Sequence, residues 1–109
     1  MDLQNVLRYA VEGEKTERGI FISGINCDAN EAVSQFQLVK RQFGKEDGIT
    51  AYHAYQSFDK GEVTPEIAHQ VGKAFAERVW GSRYQVVVAT HLDSNCLHNH
   101  FVVNSVSYL

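Results

Sequence analysis

Three of the chain's five histidines, His91, His98 and His100, fall within ten positions in the segment "ATHLDSNCLHNHFVVNSVSY", residues 89 to 108. Imidazole binds divalent metals well, and alternate residues of an extended strand share a face, so His98 and His100 of an HxH pair point the same way. "YQVVVATH" and "HNHFVVNSVSY" read as consecutive strands joined by "LDSNCL", an antiparallel hairpin with His91 closing the first strand. Cross-strand neighbours lie about 5 Å apart, close enough for three imidazoles to meet on one cation. Three neutral imidazoles with a coordination position left open is the pattern of a catalytic metal. A structural metal would need a fourth ligand, for which Asp93, Cys96 or His53 is available; packing histidines at a hairpin end is the plain competing account. Asp93, two residues past His91, is placed to hold a ligand ring from behind.

The remaining elements must position that hairpin. Leu3, Val6, Leu7 and Ala10 recur at helical spacing behind Asp2, which predicts a short helix over about residues 3 to 11. "GEKTERG" breaks it. "IFISGINC" reads as a strand, and Asp28 with Glu31 resembles a capping box opening a helix whose apolar face is Ala32, Phe36, Val39 and Phe43, stopped by Gly44. "AYHAYQSF" is rich in β-formers, with His53, Tyr55 and Ser57 on one face and Tyr52, Ala54, Gln56 and Phe58 on the other. Thr64 as N-cap and Pro65 as first residue start a helix carried by Ile67, Val71, Phe75 and Val79, with His69 mid-helix and solvated. The predicted architecture is α+β, an antiparallel sheet covered by helices, with the metal site on the last two strands.

With 109 residues, 44% hydrophobic and 21% charged, the chain reads as one domain, residues 1 to 109, with a real core. Apolar runs such as "YQVVVA" are too short to span a bilayer, and "MDLQNVLRYA" has no signal-peptide pattern, so the expected location is cytoplasmic. Cys27 and Cys96 have no metal or redox spacing of their own and read as reduced thiols. A net charge of -3 does not advertise nucleic acid, so any such role must rest on a local site.

Four segments in order, "VLRYAVEGEKTERG", "ISGINC", "YHAYQSFDKGEVTPEIAHQVGKAFAERV" and "YQVVVATHLDSNCLHNHFVVNSVSY", give the chain a resemblance to the N-terminal part of plasmid mobilisation relaxases of the HUH endonuclease superfamily. The resemblance covers nearly the whole chain, and "YQSFDKGEVTPEIAH" and HxDxxxxHxHFVxNS are its most specific parts. It implies a site-specific, strand-specific nicking and rejoining of DNA at an origin of transfer. In that reading Tyr9, ahead of Lys15 and Thr16, is the nucleophile, and His91, His98 and His100 hold a divalent metal. The metal is Mg2+ or Mn2+, with Zn2+ or Ni2+ also able to occupy such sites in vitro. Asp93 assists the tyrosine or orients a histidine, Ser57 contacts DNA, and Asn104, on the ligand face of its strand, contacts DNA or supports a ligand.

Single-stranded DNA, accessory DNA-binding proteins and a coupling ATPase are the implied partners. Asn99 stands where the superfamily's name implies a hydrophobic residue and is expected to face away from the metal. The resemblance also implies that the chain is truncated at both ends relative to the family and lacks its first strand, leaving a sheet edge that a second copy could fill as a homodimer. Two other classes stand beside this reading. One is a three-histidine hydrolase that activates water and does not use Tyr9; the other is a relaxase remnant that binds metal or a partner without cleaving DNA.

Overall fold

The computed structural model describes residues 21–47, 51–93 and 96–109; the expected helix over residues 3 to 11, and with it Tyr9, lies outside the described residues. Strand β1 is Ile22–Ile25, a 3-10 turn covers Ala29–Glu31, and helix α1 is Ala32–Gln42. Strand β2, Ala51–Ser57, leads to helix α2, Pro65–Val79, and then to strands β3, Val86–Asp93, and β4, Cys96–Asn104. The four strands form one antiparallel sheet in the order β1-β3-β4-β2, which bears out the α+β reading.

Local chemistry explains the boundaries. β1 ends because Asn26 adopts a positive φ of 61° and its amide donates to the carbonyls of Gly81 and Tyr84, turning the chain away from the sheet. Asp28 caps the following turn by accepting from the Asn30 N–H at 3.0 Å. The reciprocal partner is not Glu31, as the capping-box pattern predicts, but Gln35, whose side-chain oxygen accepts from the Asp28 N–H at 2.8 Å. A 3-10 turn has fewer residues per turn than an α-helix, so it shifts which side chain reaches back to the cap. Gly44, at φ 65°, follows the end of α1 as expected. Thr64 caps α2 through the Ile67 N–H, with Pro65 at its start.

Among the described residues, one helix packs on each face of the sheet. On the first face Ala32 and Phe36 of α1 pack on Val87 and Val102, with Ile22, Val33 and Ala51 around them. On the second, Ala76 of α2 joins Ile25, Val86, Val88, Phe101 and Val103, bordered by Ala54, Trp80 and Tyr84. Both β3 and β4 are therefore apolar at successive positions, as central strands covered on two sides must be.

The face by which α2 packs is a correction to the sequence pattern. The stripe Ile67, Val71, Phe75 and Val79 is 39–50% exposed, while Ala68, His69, Gly72 and Ala76 are buried. Small residues let the helix come close: a Cβ on Gly72 would lie 2.6 Å from the Asn99 amide nitrogen. Phe75 of the stripe still reaches the core edge, its ring 5.5 Å from that of Phe101 and 5.7 Å from that of Trp80. Phe43, expected on the apolar face of α1, is likewise 44% exposed beyond the helix end.

Candidate metal centre

The β3–β4 register pairs His91 directly with His98 and Ala89 with His100, so all three imidazoles leave the first face of the sheet on neighbouring strands. Their rings pack against one another, with centroids 4.1 Å apart for His91 and His100, 4.9 Å for His98 and His100, and 5.5 Å for His91 and His98. One ring nitrogen from each lies within 4.8 Å of the others. Two nitrogens bound to one ion at about 2.1 Å are at most about 4.2 Å apart, so small ring rotations would bring this set onto a shared cation.

Protonation also favours coordination. Burial, then the neighbouring His91, His98 and His53, push the His100 pKa down to about 4. At neutral pH this imidazole is uncharged, the form that binds metal. His91 and His100 are buried and His98 is half-buried, so the cluster opens on the His98 side. A set of three imidazoles suits a divalent transition metal, and His100 is already in the uncharged form that binds one.

Of the fourth-ligand candidates whose side chains are described, neither His53 nor Cys96 joins the cluster. His53 shares the same sheet face, but its ring is set near-parallel to that of Tyr55 with centroids 6.0 Å apart. Cys96 is exposed at the start of β4. Asp93 is paired with Cys96 at the end of the hairpin, but the described residues leave its side chain out. Ser57 is exposed on β2 and paired with His98, one strand over from the triad.

Asn104 is fully buried: its amide donates to the Phe36 carbonyl at 3.2 Å and to Gln85 at 3.0 Å, and its oxygen accepts from the Val106 N–H. These bonds tie the end of β4 to α1, so Asn104 supports the framework and its side chain does not reach solvent. The tyrosine at position 9 lies outside the described residues.

The sequence reading missed what stands behind the histidines. Asn99, between His98 and His100, faces the other way, as expected, and is fully buried. Its amide donates to the Ala68 carbonyl at 2.8 Å and to Gln56 at 2.9 Å, while its oxygen accepts from the Thr90 hydroxyl at 2.6 Å. Thr90, next to His91, is also 2.8 Å from His69 Nδ1, and His69 Nε2 is 2.6 Å from the Ser23 hydroxyl. His69 is thus buried, not solvated, its pKa lowered by burial and secondarily by Lys73. The network joins β1, β3, β4, β2 and α2 directly beneath the metal-face strand positions. Its one sequence signal is polar residues at the inward alternation of otherwise apolar strands.

Within this geometry the comparisons with known proteins fall into place. A family model described as "Relaxase: MobA/VirD2-like, nuclease domain" matches residues 9–109. A Staphylococcus aureus protein named "Protein rlx" is 49% identical over 84 residues, 77% of this chain and 26% of that protein. A second Staphylococcus aureus "Protein rlx" is 41% identical over 91 residues, 84% of this chain and 28% of its own length. The "Group II intron-interrupted relaxase LtrB" of Lactococcus lactis subsp. cremoris (strain MG1363) is 34% identical over 64 residues, 58% of this chain and 11% of its own. The chain thus spans about a quarter of the length of the Staphylococcus relatives. No solved structure matches it significantly. With the match running from residue 9 to the last residue, across all four described strands and the histidine hairpin, this chain belongs to the MobA/VirD2-like relaxase nuclease-domain family.

Proposed function

We propose that the chain is the part of a relaxase that nicks one DNA strand at an origin of transfer and rejoins it, through a covalent tyrosine intermediate. The observation that carries this reading is the convergence of His91, His98 and His100, with ligand nitrogens within 4.8 Å of one another. A divalent cation held there, Mg2+ or Mn2+ foremost, supplies charge to neutralise the non-bridging oxygens of the scissile phosphate as negative charge develops.

The chain's own groups carry the remaining work. A phenol has an ordinary pKa of about 10 and must lose its proton to attack well at neutral pH. Asp93, at the end of β3, is the base that accepts it. The Tyr9 oxygen then bonds to phosphorus as the bond from phosphorus to the 3′ oxygen breaks. The strand on the 5′ side of the break keeps a free 3′-hydroxyl, which takes up a proton, and the other strand is held as a 5′-phosphotyrosyl ester. One phosphoester replaces another, so no ATP is needed and reversal rejoins the strand. Ser57, exposed one strand from His98, contributes a hydroxyl for the DNA backbone.

The reaction belongs in the cytoplasm, and no helix among the described residues is long and apolar enough to cross a membrane. Accessory DNA-binding proteins, a coupling protein and a second copy paired along an open sheet edge are the partners this reading supplies.

The decisive test incubates the purified chain with Mn2+ and a labelled single-stranded oligonucleotide spanning the transfer origin, followed by denaturing electrophoresis. A metal-dependent covalent adduct that disappears in Tyr9→Phe is expected. Cleavage that survives Tyr9→Phe sinks the tyrosine mechanism and favours a three-histidine hydrolase. Metal binding without cleavage reassigns the chain as a relaxase segment that cannot act alone.

A further inference from the structure

We propose that Tyr55, flanked by His53, forms a stacking shelf for a nucleobase of single-stranded DNA beside the phosphate bound at the histidine triad. The inference rests on the DNA-nicking reading above and adds to it the residues that receive the bases.

Position is the first argument. Tyr55 pairs with His100 across β2 and β4, and the two rings meet edge to face with centroids 4.7 Å apart. A phosphate at the triad therefore has the Tyr55 ring as its neighbour on the β2 side, within the reach of an adjoining nucleotide.

Exposure is the second. Tyr55 is 60% exposed, so its ring is accessible to a ligand at this place. His53, two residues back on the same face, is exposed as well, and its ring plane lies 19° from that of Tyr55. The two rings stack at alternate positions of β2, the strand that leads on past His100 to Ser57 opposite His98. Among the described strands β2 is last in the sheet order, so the pair lies at the margin of the described sheet.

Charge is the third. Phosphate neutralisation by Lys and Arg supplies most sequence-independent affinity for nucleic acid, but this chain carries a net charge of -3. Its grip on a single strand must lean on contacts to the bases, and aromatic stacking accepts any base because every base has a flat face. Tyr52 provides an internal control: it is 52% exposed on the same strand but pairs with Val103, away from the histidines.

The test measures fluorescence anisotropy of a fluorescein-labelled 12-nucleotide thymidylate strand, and of a matching strand of abasic sites, with the full chain in Mn2+. Tyr55→Thr should weaken thymidylate binding about tenfold, and Tyr55→Trp should keep it within about twofold, the range expected when one stacked base is lost or retained. Tyr52→Thr should bind as the unaltered chain does, and the abasic strand should bind the unaltered chain as weakly as thymidylate binds Tyr55→Thr. Mn2+ affinity should be the same in every variant.

Binding by Tyr55→Thr equal to that of the unaltered chain overturns the shelf while leaving the nicking reading intact. Loss in Tyr55→Phe as great as in Tyr55→Thr also overturns it, because the hydroxyl and not the ring would then be the contact. If the unaltered chain neither binds the strand nor forms the covalent adduct, the nicking reading fails and the shelf fails with it.

Discussion

The two faces of the sheet put the same side chain to opposite uses. On the α2 face His69 has both ring nitrogens within hydrogen-bond reach of hydroxyls, those of Ser23 and Thr90, and belongs to a closed network. On the α1 face His91 stacks on His100 and His98 lies tilted against both, with a nitrogen from each gathered within 4.8 Å of the others. The first arrangement satisfies the imidazole with neutral partners and so fixes structure. The second gathers donor atoms of one kind where a cation can hold them together. The two alternate along the chain: Thr90 precedes His91, and Asn99 lies between His98 and His100. The rigid face sets the register in which the reactive face meets.

The sharpest way to break this contrast is to remove one member from each face. His98→Ala should lower Mn2+ or Zn2+ affinity by more than about a hundredfold, beyond the loss typical of residues that only support ligands, and leave thermal stability nearly unchanged. Calorimetric titration checks it, and retained tight binding would refute the three-histidine site.

Asn99→Leu acts on the other face. It leaves the Thr90 hydroxyl and the Ala68 carbonyl without their present partner and should cost about 2–4 kcal/mol in chemical denaturation. A cost near zero would show that the network is not what holds β4. Gly72→Ala places a Cβ where the Asn99 amide sits and should cost about 1–3 kcal/mol, with Asn99→Ala in the same chain recovering part of that loss.

A pH titration separates the faces more gently. His100 titrates at about 4 in the folded chain and near its ordinary 6.5 when unfolded. Between those values the unfolded chain binds more protons, so stability rises with pH through this window. It is fully present above 6.5 and lost as pH falls toward about 4. His69, lowered mainly by burial, acts in the same direction. Melting temperature of the metal-free chain against pH should show this slope, and His100→Gln should flatten it; an unchanged slope would remove His100 as its source. Bound metal should deepen the acid loss, because protons and metal compete for the same nitrogens.

The smallest effect is expected at the outer stripe of α2. Ile67→Gln should change stability by less than about 0.5 kcal/mol, because Ile67 is 48% exposed, whereas a core position would lose far more.

The strands and helices were legible because each carries its own period and caps: Thr64 and Pro65 at α2, Gly44 after α1, alternation in β2. The hairpin and its histidines were legible because two short strands with a brief connection have few ways to pair. The packing side of α2 was not. Its large apolar residues at four-residue spacing point one way, yet Ala68, Gly72 and Ala76 allow the closest approach to Asn99 and Val88, and His69 brings a polar group that the sheet can satisfy. The fates of Asn104 and His69 depended on the same kind of choice. Whether a polar side chain serves DNA, a metal or the framework is decided by which element covers it.

The sequence by itself determined the donor set, three imidazoles at a spacing that strand alternation sends to one face, and the order of elements that carries it. It also carried the family, since motif order survives without any coordinates. Only the tertiary structure decided that Thr90, Asn99, His69 and Ser23 form one network behind the triad, that α2 packs through its small residues, and that Tyr55 stands open beside His100. Those contacts join residues up to 46 positions apart. Local propensity carries no information about such pairs, because their energy exists only once the two helices have closed on the sheet.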